Sequence, residues 1–193
     1  MSELVLLFVG SALVNNFILT RFLGICPFLG VTRELKSAAG MGVAVTFVLS
    51  LTSILVWVVQ YLILVPLGLV YLQYAAYILI IAVLVQLLEL FLRKSSPTLY
   101  EAFGIYLPLI TTNCAIMGLA LLIVAQEYTL GASLTFALGG GVGFALAMCM
   151  MAGIRQELRF SDVPVSVQGP ALSLMIAGIM AMTFMGFSGL VAM

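Results

Sequence analysis

The sequence contains no histidine. That excludes a His-ligated zinc site, a haem with a histidine ligand and general-base catalysis by imidazole. Charge is nearly as scarce: 7% of the residues are Asp, Glu, Lys or Arg, against about 25% in soluble domains. With 64% of 193 residues hydrophobic, a water-soluble fold of this size cannot hide its apolar surface, so the solvent is lipid. Seven basic and seven acidic residues cancel. There is then no basic patch for nucleic acid and no polybasic lipid anchor. The chain has no nucleotide-binding fingerprint and no flavin motif, so a complete active site within it is not expected. The opening "MSELVLLFVG" has Glu3 as its only charge and no basic n-region. It reads as a retained first span and not as a cleaved signal peptide. Three cysteines, Cys26, Cys114 and Cys149, lie in apolar stretches, which argues against a disulfide framework.

What is present is a series of apolar segments at about 4–25, 39–60, 71–92, 102–125, 130–153 and 170–192. Each approaches or exceeds the roughly 20 residues a helix needs to cross the hydrocarbon. The expected fold is an all-α integral membrane protein of six spans in one transmembrane domain. Arg21, Arg33 and Lys36 fall at the first connection, Arg93 and Lys94 at the third, Arg155 and Arg159 at the fifth. The second and fourth connections ("VPLGLV" and "QEYTL") and both termini carry no Lys or Arg. All seven basic residues therefore share one side, which the positive-inside rule makes cytoplasmic, with both termini outside.

Two spans contain a break. "CPFLG" at 26–30 and "CAIMG" at 114–118 both fit C-x-x-[LM]-G. Asn15 and Asn16 precede the first; Thr111, Thr112 and Asn113 precede the second. Each pattern sits in the first span of its half. Halves of about 1–95 and 96–193, with three spans each, enter the membrane from opposite sides. They form an inverted repeat whose first and fourth spans are broken near the membrane midplane. Pro27 disfavours helix at Ile25–Cys26, and Pro108 lies in the matching span. Backbone freed at membrane depth needs buried partners, which the Asn and Thr residues can supply. Cys26 lies only shortly before Arg33, so a half-helix followed by a re-entrant segment suits it better than a straight helix.

Cys149, in "LAMCMMAG", has no polar neighbour or helix breaker and reads as a small hydrophobe. Cys26 and Cys114 occupy matched positions beside polar residues and prolines. Thiolates suit zinc, copper(I) or iron–sulfur clusters, and two of them complete none of the common four-cysteine sites. A metal or cluster shared with a pseudo-symmetric partner chain and a purely apolar role both stay open on the residues alone. "GGGVG" at 139–143 lies inside a span with no Lys-Ser/Thr after it. Gly139, Gly143 and Ala147 form a small-xxx-small face for helix packing. Glu89 and Arg93, one turn apart, read as an interfacial ion pair more than an ion-pathway site. Arg155, Glu157, Arg159 and Asp162 read as a solvated cytoplasmic loop able to dock a partner. Trp57 and Tyr61 read as interfacial anchors, and most of the methionines as fillers of packing gaps.

"NNFILTRFLGICPFLGV", "GIYLPLITTNCAIMGLAL", "GIRQELRFSDVP" and "AGIMAMTFMGFSGL" resemble the A-type subunits of the Rnf electron-transport complex. The likeness runs over essentially the whole chain. The E-type subunit of the sodium-translocating NADH:quinone reductase is a close relative, sharing the "LPLIT-NCA" and "SDVP" patterns, but "NNF" and "CPF" look more like the Rnf member. The resemblance implies a membrane electron-carrier subunit of an ion-translocating ferredoxin:NAD+ oxidoreductase. The coupled ion would be sodium or the proton, and the location the bacterial inner membrane. It implies a homologous E-type subunit of inverted topology as partner, beside the B, C, D and G subunits, with ferredoxin and NAD bound elsewhere. It also implies an intramembrane [2Fe–2S] cluster shared between the two chains, with Cys26 and Cys114 as this chain's iron ligands. Thr112 and Asn113 are candidates to hydrogen-bond around those sulfurs, or to cap the helix at the break. Two rival readings remain. One is a small secondary transporter that binds an ion through the Asn and Thr residues, with incidental cysteines. The other is a purely structural membrane subunit.

Overall fold

The computed structural model describes residues 2–68, 70–95, 107–160, 164 and 168–189, and all regular structure among them is helical. α1 (Ser2–Val9) runs into a π turn at Gly10–Val14 and stops. Turns over 15–24 lead to the short α2 (Ile25–Val31). α3 (Leu35–Val59) passes through a second π turn (Gln60–Leu64) into α4 (Val65–Leu67). α5 (Gln73–Ser95), α6 (Leu107–Thr111), α7 (Cys114–Ala125), α8 (Leu130–Leu158) and α9 (Pro170–Met185) follow. Among the described residues four stretches are long and apolar enough to cross a membrane: Leu35–Leu67, Gln73–Leu90, Pro108–Ala125 and Leu130–Leu158. Glu3–Val14 and Pro170–Met185 are shorter apolar helices. The chain is a multi-pass helical membrane protein, and each of the six expected spans contains an apolar helix. The expected boundary between halves, at 95–96, abuts residues outside the described set.

One connection runs differently from expectation. "VPLGLV" reads as a loop, yet the helix continues through Pro66 and stops at Gly68, where φ is +67°. The π turn just before it explains the difference. The Val65 amide reaches back to the Gln60 carbonyl, and this wider turn lets the chain absorb a proline with no amide to donate. Across the same region the Tyr77 hydroxyl of α5 donates to Gln60 Oε1 at 2.7 Å. That satisfies two buried polar groups. Trp57 stacks near Tyr61, with ring centroids 5.0 Å apart. Its indole N–H donates to the Tyr128 carbonyl at 3.1 Å, which ties α3 to the α7–α8 connection.

α3 and α8 form the central pair, because small residues let their backbones approach. A Cβ on Gly42 would lie 2.6 Å from Ala145 Cβ, and one on Gly141 2.6 Å from Thr46 Cγ2. The other side of the glycine run faces α1: Cβ atoms on Gly139 and Gly143 would strike Ser11 and the Ala12 carbonyl. Ala147 is fully buried. The run is a packing face, as its composition implies. α1 and its π turn pack on α8, whereas α7 packs on α3. α5 packs on α3 and against α6 and α7, and α9 packs on α8 and against the π turn of α1. α1 thus lies on α8 while α7 lies on α3.

This geometry sets apart two glycines on one helix. Gly143→Ala drives a methyl into the Ala12 backbone and should destabilise the detergent-solubilised protein by about 1–3 kcal/mol. Gly153→Ala meets nothing within 4 Å and should leave stability unchanged or raise it by up to about 1 kcal/mol. Thermal unfolding of the two variants checks both signs.

Candidate metal centre at the two helix breaks

The first break is held by one side chain. Asn16 is fully buried. Its Nδ2 donates to the Gly143 carbonyl of α8 at 2.8 Å and to the Ala12 carbonyl at 3.3 Å. Its Oδ1 accepts the amides of Ile18 at 3.0 Å and Leu19 at 3.3 Å. Three backbone groups where the first helix stops, and one carbonyl of α8, find a partner in a single amide, as an apolar surrounding demands. The chain then turns back through Phe22 and Gly24, whose φ values are +55° and +84°. Glycine adopts the latter without strain.

α2 begins at Ile25, before Pro27. This corrects the expectation that Pro27 keeps Ile25 and Cys26 out of a helix. In the first turn the amides have no partner within the helix, so a proline there loses no bond. Cys26 occupies that first turn and is exposed. At the second break α6 ends with the Thr112 amide and hydroxyl both donating to the Pro108 carbonyl, at 3.1 and 3.0 Å. Asn113 caps α7 through Oδ1, which accepts the Ala115 amide at 3.0 Å. Cys114 is the first residue of α7 and is also exposed.

The two breaks meet. The Gly24 amide donates to Cys114 Sγ at 2.9 Å. A Cβ on Gly24 would lie 3.2 Å from Asn113 Oδ1 and 3.4 Å from Ala115 Cβ. Gly118, the last residue of "CAIMG", packs against Leu23. Gly30, its counterpart in "CPFLG", faces open space, so the shared pattern ends in two different environments. Cys26 is two residues from Gly24, and a chain reaches at most about 3.6 Å per residue. The two thiols therefore belong to one neighbourhood on the surface. Cys149, partly buried in α8, stands outside it.

Two thiols are half of a four-sulfur ligand set, and no group of three or more His, Cys, Asp or Glu comes together among the described residues. The remaining ligands would come from another chain, which the exposure of both cysteines permits. The surroundings fit a sulfur-rich anionic group. The Gly24 N–H already points at the Cys114 sulfur. The buried Nδ2 of Asn113, next to Cys114, meets no acceptor among the described residues, as expected of a donor reserved for an absent acceptor. Among the described residues Thr112 bonds only within its own helix turn. Of the two expected neighbours, Asn113 keeps a free donor while also capping α7.

The basic cluster at 155–159 also differs from its sequence reading. Arg155 and Arg159 are not on a free loop: Arg155 is on the last turn of α8 and Arg159 just past its end. Arg155 Nη1 donates to the Leu29 carbonyl at 2.9 Å and to Thr32 Oγ1 at 2.8 Å. Arg159 Nη2 reaches the Arg33 carbonyl at 3.0 Å. A guanidinium at the open carbonyls of α2 satisfies them and suits the negative end of that helix. The two cations hold down the short helix that carries Cys26. Spacing along the chain gives no hint of this, because the partners are more than a hundred residues away. Asp162 and the Arg93 side chain, and with it the expected pairing to Glu89, lie outside the described residues. Arg155→Met keeps the stem and removes the donors. It should cost about 1.5–3 kcal/mol locally and speed amide exchange over 25–33 while 35–59 stays protected, read by hydrogen-exchange mass spectrometry.

These features define a class: a polytopic helical membrane protein with two broken helices that present a pair of thiols at one surface. Comparison with known proteins then gives the lineage. Residues 4–191 match the family described as Rnf-Nqr subunit, membrane protein, and the chain belongs to that family. It is 55% identical over 191 residues to the A-type subunit of the ion-translocating oxidoreductase complex of Syntrophotalea carbinolica, covering 99% of both chains. It is 53% identical, with the same coverage, to the corresponding proteins, named in the same way, of Cronobacter sakazakii and Yersinia pseudotuberculosis.

Proposed function

We propose that this chain is the A-type membrane component of an ion-translocating ferredoxin:NAD+ oxidoreductase, part of a translocase and with no complete active site of its own. In this reading Cys26 and Cys114 are two of the four ligands of a [2Fe–2S] cluster. The other two come from a homologous E-type subunit inserted with opposite topology. When bound, the cluster supplies one-electron transfer within the membrane. The remaining B, C, D and G subunits handle ferredoxin and NAD, and the coupled ion is sodium or the proton.

The observation that carries this reading is the Gly24 N–H to Cys114 Sγ bond, which unites the two cysteine-bearing breaks. Asn16 fixes the first break to α8, Arg155 fixes the far end of α2, and Asn113 starts α7 at Cys114. Together they orient two thiols toward a surface that a partner must cover. The six-span inverted repeat is part of the same proposal. Its support is the exchange in which α1 packs on α8 while α7 packs on α3. On such a pseudo-two-fold axis a shared group lies at equal depth from both faces. The basic connections would face the cytoplasm and the termini the outside of the bacterial inner membrane. The ion-transporter alternative loses Asn16 as an ion ligand, because both of its polar atoms are committed to backbone.

The test is electron paramagnetic resonance with iron analysis on the dithionite-reduced pair of this chain and its E-type partner. Wild type and Cys149→Ser should show a [2Fe–2S] signal. Cys26→Ser and Cys114→Ser should lose it while the pair still assembles. A well-assembled wild-type pair without iron would sink the proposal.

A further inference from the structure

The two cysteines are matched in sequence but not in environment. Cys114 Sγ accepts the Gly24 amide at 2.9 Å. By the repeat that matches Cys26 to Cys114, the residue corresponding to Gly24 is Thr112. Its amide is bound to the Pro108 carbonyl at 3.1 Å instead, and among the described residues no donor reaches Cys26 Sγ. The half-helices explain the difference. Only Thr112 separates the end of α6 from the cap of α7, and its amide still bonds back into α6. The first break is ten residues long and releases Gly24 from α1 altogether.

We infer that Gly24 is a positioning residue that makes the two ligand sulfurs electronically unequal, raising the electron affinity of the bound group through Cys114. This rests on the cluster reading above. Reduction adds one electron from an external one-electron donor to the group, and no bond forms or breaks. The added negative charge spreads onto the sulfurs. A donor N–H directed at one of them stabilises the reduced form, which is how hydrogen bonds to sulfur set cluster potentials. The geometry needs glycine. The φ of +84° disfavours an L side chain, and an added Cβ would come 2.7 Å from Phe144 Cε2. A side chain at this position turns the amide away from the sulfur.

The experiment is a potentiometric titration of the reduced cluster signal in the assembled complex, comparing wild type, Gly24→Ala and Gly30→Ala. Gly30 lies in the same short helix with nothing within 4 Å, so it controls for changes in α2 alone. Gly24→Ala should lower the ratio of reduced to oxidised group up to tenfold at fixed potential, equivalent to about 59 mV for one electron. Gly30→Ala should leave it unchanged. An unshifted Gly24→Ala with full iron content, or an equal shift in Gly30→Ala, overturns the inference. A measurement on the wild type covers the case in which Gly24→Ala fails to assemble. In complex labelled with 15N-glycine, pulsed resonance should show a 15N coupling to the reduced group, and no glycine coupling would also overturn it. A wild-type complex without any cluster signal is a different outcome, which removes the cluster reading itself.

Discussion

Cys26→Ser and Cys114→Ser, each alone, are expected to reduce ferredoxin-dependent NAD reduction by the assembled complex to the level of a complex lacking this chain. A serine hydroxyl in a membrane does not ionise to replace a thiolate, and the two thiols are not redundant: each is half of this chain's contribution. Both side chains are exposed, so replacing sulfur by oxygen removes no core packing, and assembly should survive. Cys149→Ser, in a partly buried packing position, should retain most of the activity. The check is steady-state NADH formation by membranes of equal subunit content, with assembly monitored in parallel. Equal activity in all three variants would favour a purely structural role for the chain.

The second large effect is expected at Asn16. Asn16→Leu preserves approximate volume and deletes four hydrogen bonds. It leaves the amides of Ile18 and Leu19 and the Gly143 carbonyl without their side-chain partner in an apolar surrounding. At about 1–3 kcal/mol for each group left unsatisfied, the loss should reach about 3 kcal/mol or more. That is a large part of the roughly 5–15 kcal/mol that holds a typical domain together. The chain should accumulate poorly and melt early in detergent. Asn16→Asp keeps the acceptor but sets a second carboxyl oxygen against the Ala12 and Gly143 carbonyls, and should also fall below wild type. Thermal unfolding and membrane abundance of the three proteins test the order.

Much of this architecture is legible along the chain. Apolar runs of spanning length mark the helices, and the two polar clusters before a cysteine mark the breaks. The small-xxx-small face at Gly139, Gly143 and Ala147 marks a close helix contact. What stays hidden is local backbone detail and contact between residues distant in sequence. The start of α2 before Pro27 follows from the freedom of first-turn amides, and the passage of the helix through Pro66 from a π turn that hydropathy does not encode. Arg155 and Arg159 look solvated because charge at a span end usually is, yet they reach the carbonyls of Leu29 and Arg33, more than a hundred residues away. Gly24 acts through its backbone amide, which a scan for ligating side chains overlooks. Its only trace is a glycine two residues before a cysteine, where the repeat copy has Thr112.

The most direct test of the paired breaks is a density map of the assembled complex at side-chain resolution. One compact feature of iron-level density should bridge Cys26 Sγ and Cys114 Sγ to two sulfurs of the pseudo-symmetric partner chain, with Gly24 beside Cys114. Two cysteines that face lipid or separate protein surfaces, with no density between them, would contradict a shared cluster.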